Sequence, residues 1–227
     1  MEPGLGHNLA INLKNKGFEV RALNSLERST GLAVKKLEEA GVPVTKTGVT
    51  SMNDVKNVLK SVDVVVHAAA YTDVAESMEN PSLYFDKNVL GTVSVAEASL
   101  KTGVGLFIYL SSAAVYGDPV RLPVDENHPT DPLSPYGLSK LMGEEVARFF
   151  SRLGLKHVVL RLFNVYGLGQ NAAYAGVITR FMERARKGLP SLVYGDGEQT
   201  RDFIHVEDVA QAVELAITTR CLNQVFN

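Results

Sequence analysis

The chain has 227 residues, enough for one domain or slightly more, and its 45% hydrophobic content is ordinary for a globular protein. Its 23 basic and 25 acidic side chains leave a net charge of −2, so nothing indicates binding to nucleic acid. No apolar run approaches the roughly 18 residues of a membrane span. A single cysteine, Cys221, argues against disulfides and fits a reducing compartment, so we expect a cytoplasmic protein. The five scattered histidines lack ligand spacing, and we predict no metal site.

Apolar periodicity and glycine stops predict helices that alternate with strands along the chain. Helices are expected at residues 6–16, 32–40, 53–59, 82–101, 136–153 and 177–187. Strands are expected at residues 18–23, 42–45, 62–67, 106–110 and 157–162. The run at 62–67 is continuously apolar, which is typical of a strand buried on both faces of a parallel sheet. The alternation therefore predicts an α/β fold with a doubly wound parallel sheet covered by helices on both faces.

The residues with the clearest chemistry lie between the strand at 106–110 and the helix at 136–153. Ser111 and Ser112 follow this strand directly, at the carboxyl end where ligands bind in such sheets. Tyr136 and Lys140 are four residues apart, so a helix places them on one face. An ammonium group stabilises a neighbouring phenolate, and a serine opposite it would complete a set suited to proton exchange with a substrate hydroxyl.

Three motifs together resemble those of the extended short-chain dehydrogenase/reductases. They are Ser-Ser-Ala-Ala-Val-Tyr-Gly at 111–117, Pro-Tyr-Gly-Leu-Ser-Lys-Leu-Met-Gly-Glu at 135–144 and Arg-Leu-Phe-Asn-Val-Tyr-Gly at 161–167. Within that group the chain is most similar to the UDP-glucose 4-epimerase branch of the NAD-dependent epimerase/dehydratase family. The resemblance covers nearly the whole chain. It implies a Rossmann-like fold, NAD as the cofactor and a nucleotide sugar as the substrate.

The resemblance also implies a catalytic set. Tyr136 would be the acid/base, Lys140 would lower its pKa, and Ser112 would hold the same sugar oxygen. Transient hydride transfer to NAD would then interconvert UDP-glucose and UDP-galactose. Ala113 and Ala114 stand where sugar 4,6-dehydratases and UDP-glucuronate decarboxylases carry acidic residues, which favours epimerisation or simple reduction. Another nucleotide-sugar epimerase, a keto-sugar reductase and a catalytically silent nucleotide-binding relative stay open as alternatives.

Binding residues follow from the same resemblance. Cofactor contacts are expected from Gly6, Asn24, Ala68, Ala69, Ala70, Asn88, Ser111, Tyr136 and Lys140. Substrate contacts are expected from Ser112, Asn164, Val177, Tyr194 and Arg201. Other readings stay open for three of these residues: Asn88 could lie on a helix surface, Tyr194 could pack in a strand, and Arg201 could pair with Asp202. The family also implies a homodimer formed through the helices at 82–101 and 136–153.

The start of the chain departs from the family pattern. A fold of this type begins with an apolar strand and a Gly-x-x-Gly-x-x-Gly turn, of which only Gly6 is present, as the last glycine. We therefore expect the first strand to be missing. Truncation is the favoured reason, because the chain also stops early at Asn227. The alternatives are that another chain fills the gap or that the protein is a degenerate relative.

Two further expectations concern the cofactor and the domains. Asn24 replaces the acidic residue that usually binds the adenosine ribose, and Arg28 is near, so NAD is preferred while NADP stays open. We expect a dinucleotide-binding domain at residues 1–166. A partial substrate-binding region should follow at 167–227, interleaved with the last strands of the sheet.

Overall fold

The computed structural model describes residues 4–29, 31–167, 177–193, 195–219 and 221–227. The helices are Leu5–Asn15 (α1), Gly31–Glu39 (α2), Met52–Val58 (α3), Val74–Glu79 (α4), Pro81–Tyr84 (α5), Gly91–Thr102 (α6), Pro135–Arg152 (α7), Val177–Arg186 (α8) and Val206–Thr219 (α9). The strands are Ala22–Asn24 (β1), Val44–Lys46 (β2), Val64–His67 (β3), Leu106–Ser112 (β4), His157–Leu162 (β5), Asn164–Tyr166 (β6), Phe203–His205 (β7) and Gln224–Phe226 (β8).

All the strand pairs in the described part of the chain are parallel. The central sheet has the order β3-β4-β5-β8, while β1 pairs with β2 and β6 pairs with β7. The predicted fold class, a parallel α/β sheet of the Rossmann type, is confirmed. β8 returns the end of the chain to the central sheet, beside β5.

Helices cover both faces of the central sheet because side chains alternate along β4. Phe107 and Tyr109 join one apolar cluster, with residues of α3, α6 and α7. Ile108 and Leu110 join the other, with residues of α1 and α9. These four side chains are at most 3% exposed, so β4 lies at the centre of the molecule.

A cavity of about 460 Å³ lies between the β1–β2 sheet and the central sheet. Val20 and Ala22 line one wall, Val64 and Val66 line the other, and Leu9 of α1 lines it as well. Among the described residues, β1 pairs only with β2, and β3 pairs only with β4. The expected absence of a first strand agrees with this gap between β1 and β3.

Three element predictions differ from the structure. The strand expected at 18–23 begins only at Ala22, because the preceding backbone runs beside the cavity and gains no strand partner there. The helix expected at 82–101 is interrupted by a π-helical turn, Phe85–Leu90, between α5 and α6. No element is predicted at 74–79, yet the side chain of Asp73 accepts a hydrogen bond from the Glu76 N–H (2.9 Å) and caps α4.

Beyond residue 187 the sequence predicts the last strands of the sheet but gives no bounds for any element. β7, α9 and β8 follow, and the two strands have only three residues each, too short to show an alternating pattern. Of the helices that the structure describes, none combines the length and the apolar character needed to cross a bilayer. The described side chains contain no cluster of three or more His, Cys, Asp or Glu residues that could hold a metal ion.

Candidate active site

The first turn of α7 lies against the turn that follows β4. Ser134 caps the helix by accepting a hydrogen bond from the Gly137 N–H (3.1 Å). A Cβ atom on Gly137 would come within 2.5 Å of the Ala114 carbonyl oxygen, so only glycine permits this approach. The close packing brings Tyr136, in the first turn of α7, to the end of β4 that carries Ser112.

Lys140 is buried beneath this end of the sheet. Its ammonium group donates a hydrogen bond to the Leu110 carbonyl (2.6 Å) and lies 4.8 Å from the centre of the Tyr109 ring. Lys140 is only 4% exposed. Burial lowers the pKa of Lys140 to about 8, while the carboxylate of Glu144 opposes the shift. Lys140 is therefore still mostly charged at neutral pH.

The two serines at the end of β4 have different surroundings. The Ser112 hydroxyl oxygen accepts a hydrogen bond from the Ala114 N–H (3.2 Å), so its hydrogen can still be donated to a substrate oxygen. Ser111 is buried and donates to Glu144 (2.5 Å). A cofactor contact through the Ser111 hydroxyl would have to compete with that carboxylate. Of the pair, Ser112 is better suited to act on a substrate.

A buried ion pair lies beneath the site, and the sequence patterns predict no role for either of its residues. Arg161 of β5 donates to both oxygens of Glu144, at 2.7 Å from Nη2 and 3.0 Å from Nε. Both side chains are at most 8% exposed. Arg161 also donates to the Tyr116 hydroxyl (2.8 Å), which in turn donates to Asn227 (2.6 Å). Burial opposes its charge, but the bonds to Glu144 and Tyr116 outweigh this and raise the pKa of Arg161.

Tyr136 itself is half-buried. Its ring meets the ring of Tyr84 edge to face, with 6.5 Å between the ring centres. Tyr84 is fixed by donating its hydroxyl to Glu76 (2.9 Å). The acid/base candidate is therefore held by an aromatic contact on one side and by the first turn of its own helix on the other.

Five of the predicted cofactor-binding residues line the cavity between the β1–β2 sheet and the central sheet, whereas Asn88, Ser111, Tyr136 and Lys140 are not among its lining residues. Gly6, Asn24 and the three alanines 68–70 all contribute to its wall. The alanine methyl groups leave room for a dinucleotide to approach the backbone, and Gly6 lies in the first turn of α1, where a helix stabilises a pyrophosphate. The side-chain amide oxygen of Asn24 accepts a hydrogen bond from the Leu26 N–H (2.8 Å), which shapes the loop after β1. These residues fit a dinucleotide such as NAD.

Asn88 orders the loop after β3 from a buried position, which rules out the reading that it lies on a helix surface. Its amide accepts from the Tyr71 N–H (2.7 Å) and donates to the Tyr71 carbonyl (2.9 Å) and to Ser139 of α7 (2.9 Å). The residue is 1% exposed. Nearby, burial lowers the pKa of His67 to about 3, so this histidine is neutral and bonded to Thr92 (3.0 Å).

Asn164, a predicted substrate-binding residue, lies just beyond the end of β5, whereas Ser112 ends β4. Ser112 pairs with Leu162 in the sheet register, so Asn164 lies two residues past this point, at the same edge. Asn164 pairs with Phe203 of β7 and donates its side-chain amide to the Asp202 carbonyl (2.8 Å). Arg201 therefore lies two residues before Phe203, the strand partner of Asn164. The exposed Arg201 guanidinium donates to the Thr200 carbonyl (2.7 Å).

The remaining substrate candidates are less informative. Val177 is the first residue of α8 and is 41% exposed. Tyr194 lies outside the described residues, so neither its contact with a nucleotide base nor the packing alternative is decided.

Comparison with known proteins agrees with this geometry. The model of the NAD dependent epimerase/dehydratase family matches residues 4–227. The chain belongs to this family. A Methanocaldococcus jannaschii protein, named provisionally as a UDP-glucose 4-epimerase, is 46% identical over 177 residues, which are 77% of this chain and 57% of that relative. The chain thus spans little more than half the length of the first curated relatives that it matches.

Two solved structures are similar over the whole chain. The UDP-glucose 4-epimerase of Thermotoga maritima, solved with UDP-glucose, has a TM-score of 0.92 and is 32% identical. The Thermus thermophilus UDP-glucose 4-epimerase, solved with NAD, has a TM-score of 0.88 and is 33% identical. In both cases the match covers 100% of this chain and 74% of the solved chain. The resemblance seen in the three sequence motifs is confirmed at the level of the family and the fold.

Proposed function

We propose that this chain binds NAD and carries the catalytic set of a nucleotide-sugar 4-epimerase that interconverts UDP-glucose and UDP-galactose. The observation that carries the proposal is the arrangement around β4. Ser112 ends the strand, Tyr136 opens the helix packed against it, and Lys140 is tied to the Leu110 carbonyl one residue before the two serines. The relatives and solved structures named above support the same reaction and substrate class.

The three side chains divide the proton chemistry between them. Tyr136 takes the proton of the sugar hydroxyl at the carbon that is oxidised and later returns it. The Lys140 ammonium stabilises the phenolate of Tyr136. Ser112 donates a hydrogen bond to the same sugar oxygen. When bound, NAD supplies the acceptor and the donor of the hydride.

The sugar and its diphosphate would lie against the edge formed by β5, β6 and β7. Asn164 and Arg201 are the proposed diphosphate contacts, because an amide and a guanidinium both donate to phosphate oxygens and the guanidinium adds positive charge. Val177, at the start of α8, and Tyr194 complete the proposed substrate contacts. Residues 1–166 are the proposed cofactor domain, and residues 167–227 are the proposed partial substrate region.

Two alanines favour epimerisation over elimination. Ala113 and Ala114 form the turn directly after Ser112. Elimination of water needs a further general acid and base beside the sugar, and alanine supplies neither. Another nucleotide-sugar epimerase or a keto-sugar reductase would use the same Ser112, Tyr136 and Lys140.

A catalytically silent, nucleotide-binding relative is the second candidate. The observation in its favour is the cavity between β1 and β3, where the described residues provide no strand. Such a protein would keep the arrangement around β4 but turn over no sugar.

Substitution of Tyr136 by phenylalanine separates the two candidates. Turnover of UDP-galactose should fall by about 10²- to 10⁴-fold, the usual contribution of general acid–base catalysis. The affinity for NAD, measured by calorimetric titration, and the circular dichroism spectrum should stay unchanged. Equal trace activity in the parent and in Y136F would overturn the enzymatic proposal in favour of the silent relative.

A homodimer through residues 82–101, which correspond to α5, the π-helical turn and α6, and residues 136–153, which correspond to α7, is also proposed. Leu138, Met142 and Phe149 of α7 are 39%, 40% and 56% exposed, and their spacing of four and seven residues puts them on one face. An exposed apolar stripe of this kind suits a second copy of the chain. Light scattering should give a dimer for the parent and a monomer for M142E/F149E. A monomeric parent at micromolar concentration would contradict the proposal.

The cytoplasmic location stays a prediction.

A further inference from the structure

A cluster of charged and aromatic side chains lies at the end of the cavity that holds Asn24. It joins the loop after β1 to α4 and to the π-helical turn. We call it the Arg28 cluster; its members are Glu27, Arg28, Tyr71, Glu76, Tyr84 and Lys87. Four of the six line the cavity itself: Glu27, Arg28, Tyr71 and Lys87. The catalytic proposal assigns no role to these four side chains.

Arg28 is held by Glu76 in a two-point ion pair. Its two terminal nitrogens donate to the two Glu76 carboxylate oxygens at 2.7 and 2.6 Å. The guanidinium carbon lies 3.6 Å from the centre of the Tyr71 ring, so the group is also stacked. Glu76 accepts a further hydrogen bond from Tyr84 (2.9 Å). The hydrogen bonds from Arg28 are the main reason that the pKa of Glu76 lies below its usual value.

A second carboxylate lies one residue away. Glu27 accepts a hydrogen bond from the Tyr71 hydroxyl (2.8 Å) and lies 3.5 Å from the Lys87 ammonium. The hydrogen bond from Tyr71 is the main cause of its lowered pKa. The two cations and two carboxylates of the cluster therefore neutralise each other. The end of the cavity next to Asn24 carries no surplus positive charge from this group.

This balance bears on the choice between NAD and NADP. In folds of this kind, the end of the second strand of the unit, here β1, faces the adenosine ribose, and an arginine nearby accommodates the 2′-phosphate of NADP. Asn24 is neutral and would not repel a 2′-phosphate. Arg28 is close in sequence and lines the same cavity, so the residues alone leave NADP open.

We infer that Glu76 determines cofactor specificity by holding Arg28 in a neutral pair, so that the cavity takes NAD in preference to NADP. A 2′-phosphate would have to separate Arg28 from Glu76 and then lie beside Glu27. Both steps oppose binding, because a bidentate pair is broken and like charges approach. The inference rests on the proposed function, since it requires the cofactor to occupy this cavity.

Glu76→Gln is the variant that tests this inference. Glutamine keeps the shape of the side chain and a hydrogen-bond acceptor but removes the charge, so Arg28 becomes available to a phosphate. Calorimetric titration of the parent and of E76Q with NAD and with NADP should give a NADP affinity that rises about tenfold or more, the worth of one charge-assisted hydrogen bond. The affinity for NAD should change little.

Three controls make the result specific. In R28Q/E76Q the gain for NADP should disappear, because the cation that receives the phosphate is gone. Glu79→Gln, at an exposed position in the last turn of α4, should leave both affinities unchanged. The gain in E76Q should also shrink at high ionic strength, since an attraction between partly exposed charges is screened. Glu76→Ala offers a second variant at the same position.

Each outcome separates the inference from the proposed function. A folded parent that binds neither nucleotide would overturn the proposed function and the inference with it. A parent that binds NAD, with an unchanged ratio of NAD to NADP affinity in folded E76Q or E76A, would overturn the inference alone. A parent that prefers NADP would also overturn it. A gain for NADP that persists in R28Q/E76Q would show that Arg28 is not the phosphate contact.

Discussion

Beside β4 and β5 the charged groups of Lys140, Glu144 and Arg161 are buried, whereas around β1 and β2 the charged side chains lie near the surface or beside a cavity. We call the first region the catalytic side (β4, β5 and α7) and the second the cofactor side (β1, β2, α1 and α2). The Glu144–Arg161 pair of the catalytic side is at most 8% exposed. The Arg28–Glu76 pair, which anchors the loop of the cofactor side, is 25% and 29% exposed.

The difference has a functional consequence. Ser112 and Lys140 take their positions from contacts within the catalytic side, and Tyr136 takes its position from the first turn of α7 and from the ring of Tyr84 in α5. None of these contacts involves β1 or β2. An intact catalytic set can therefore stand beside a cofactor side that is held less tightly, and the presence of the catalytic residues does not by itself demonstrate that the cofactor is retained. Binding and chemistry have to be measured separately.

Removal of one buried charge should give the largest effect on stability. Glu144→Gln leaves Arg161 buried without its counter-ion and weakens the bond to Ser111. We expect the free energy of unfolding in urea to fall by about 3–5 kcal/mol, the usual loss when one partner of a buried pair is removed. Glu27→Gln on the cofactor side breaks a partly exposed pair and should cost about 0–1 kcal/mol. Similar losses for the two variants would show that burial does not distinguish the charged pairs of the two sides.

Close packing should produce a second, smaller contrast. A Cβ on Gly143 would overlap the Tyr109 hydroxyl, whereas a Cβ on Gly31 of α2 meets nothing within 4 Å. Gly143→Ala should therefore destabilise the protein by about 1–3 kcal/mol, as overpacking of a core does. Gly31→Ala should be neutral or should raise stability by about 0.5–1 kcal/mol. The midpoints of urea unfolding measure both, and a tolerated Gly143→Ala would show that α7 is not fixed against β4.

The buried ammonium should give the smallest effect, visible in the pH dependence. The pKa of Lys140 is lowered to about 8 in the folded protein from an ordinary value of 10.5. Between these two values the unfolded chain binds more protons, so the stability of the folded state rises with pH. We expect the free energy of unfolding of the parent, relative to Lys140→Met, to rise by about 1–2 kcal/mol from pH 7.5 to pH 9.5.

Lys87→Met, which removes an ammonium that lies beside Glu27 of the cofactor side, is the matched control for this measurement. The Lys87 side chain is 27% exposed, so this group is not desolvated to the same degree as Lys140. A flat difference for Lys140→Met would mean that the Lys140 ammonium is not desolvated in the folded protein.

The sequence predicted the α/β alternation and the placement of Ser112, Tyr136 and Lys140 on their elements, because both depend on local patterns. Tyr136 and Lys140 are one helical turn apart, and Ser112 ends an apolar strand. Features that depend on distant parts of the chain were missed. The partner of Ser111 is 33 residues away, and Glu76 is 48 residues from Arg28. The late start of β1 depends on the absence of a neighbouring strand, which no pattern within residues 18–23 reveals.

NAD is proposed to bind in the cavity between the cofactor side and the catalytic side. Calorimetric titration of the purified chain with NAD, after circular dichroism has verified the fold, measures this binding. We expect a dissociation constant in the micromolar range or tighter. A folded chain that takes up no NAD would contradict this proposal and would mean that Ser112, Tyr136 and Lys140 persist on a scaffold unable to hold the cofactor.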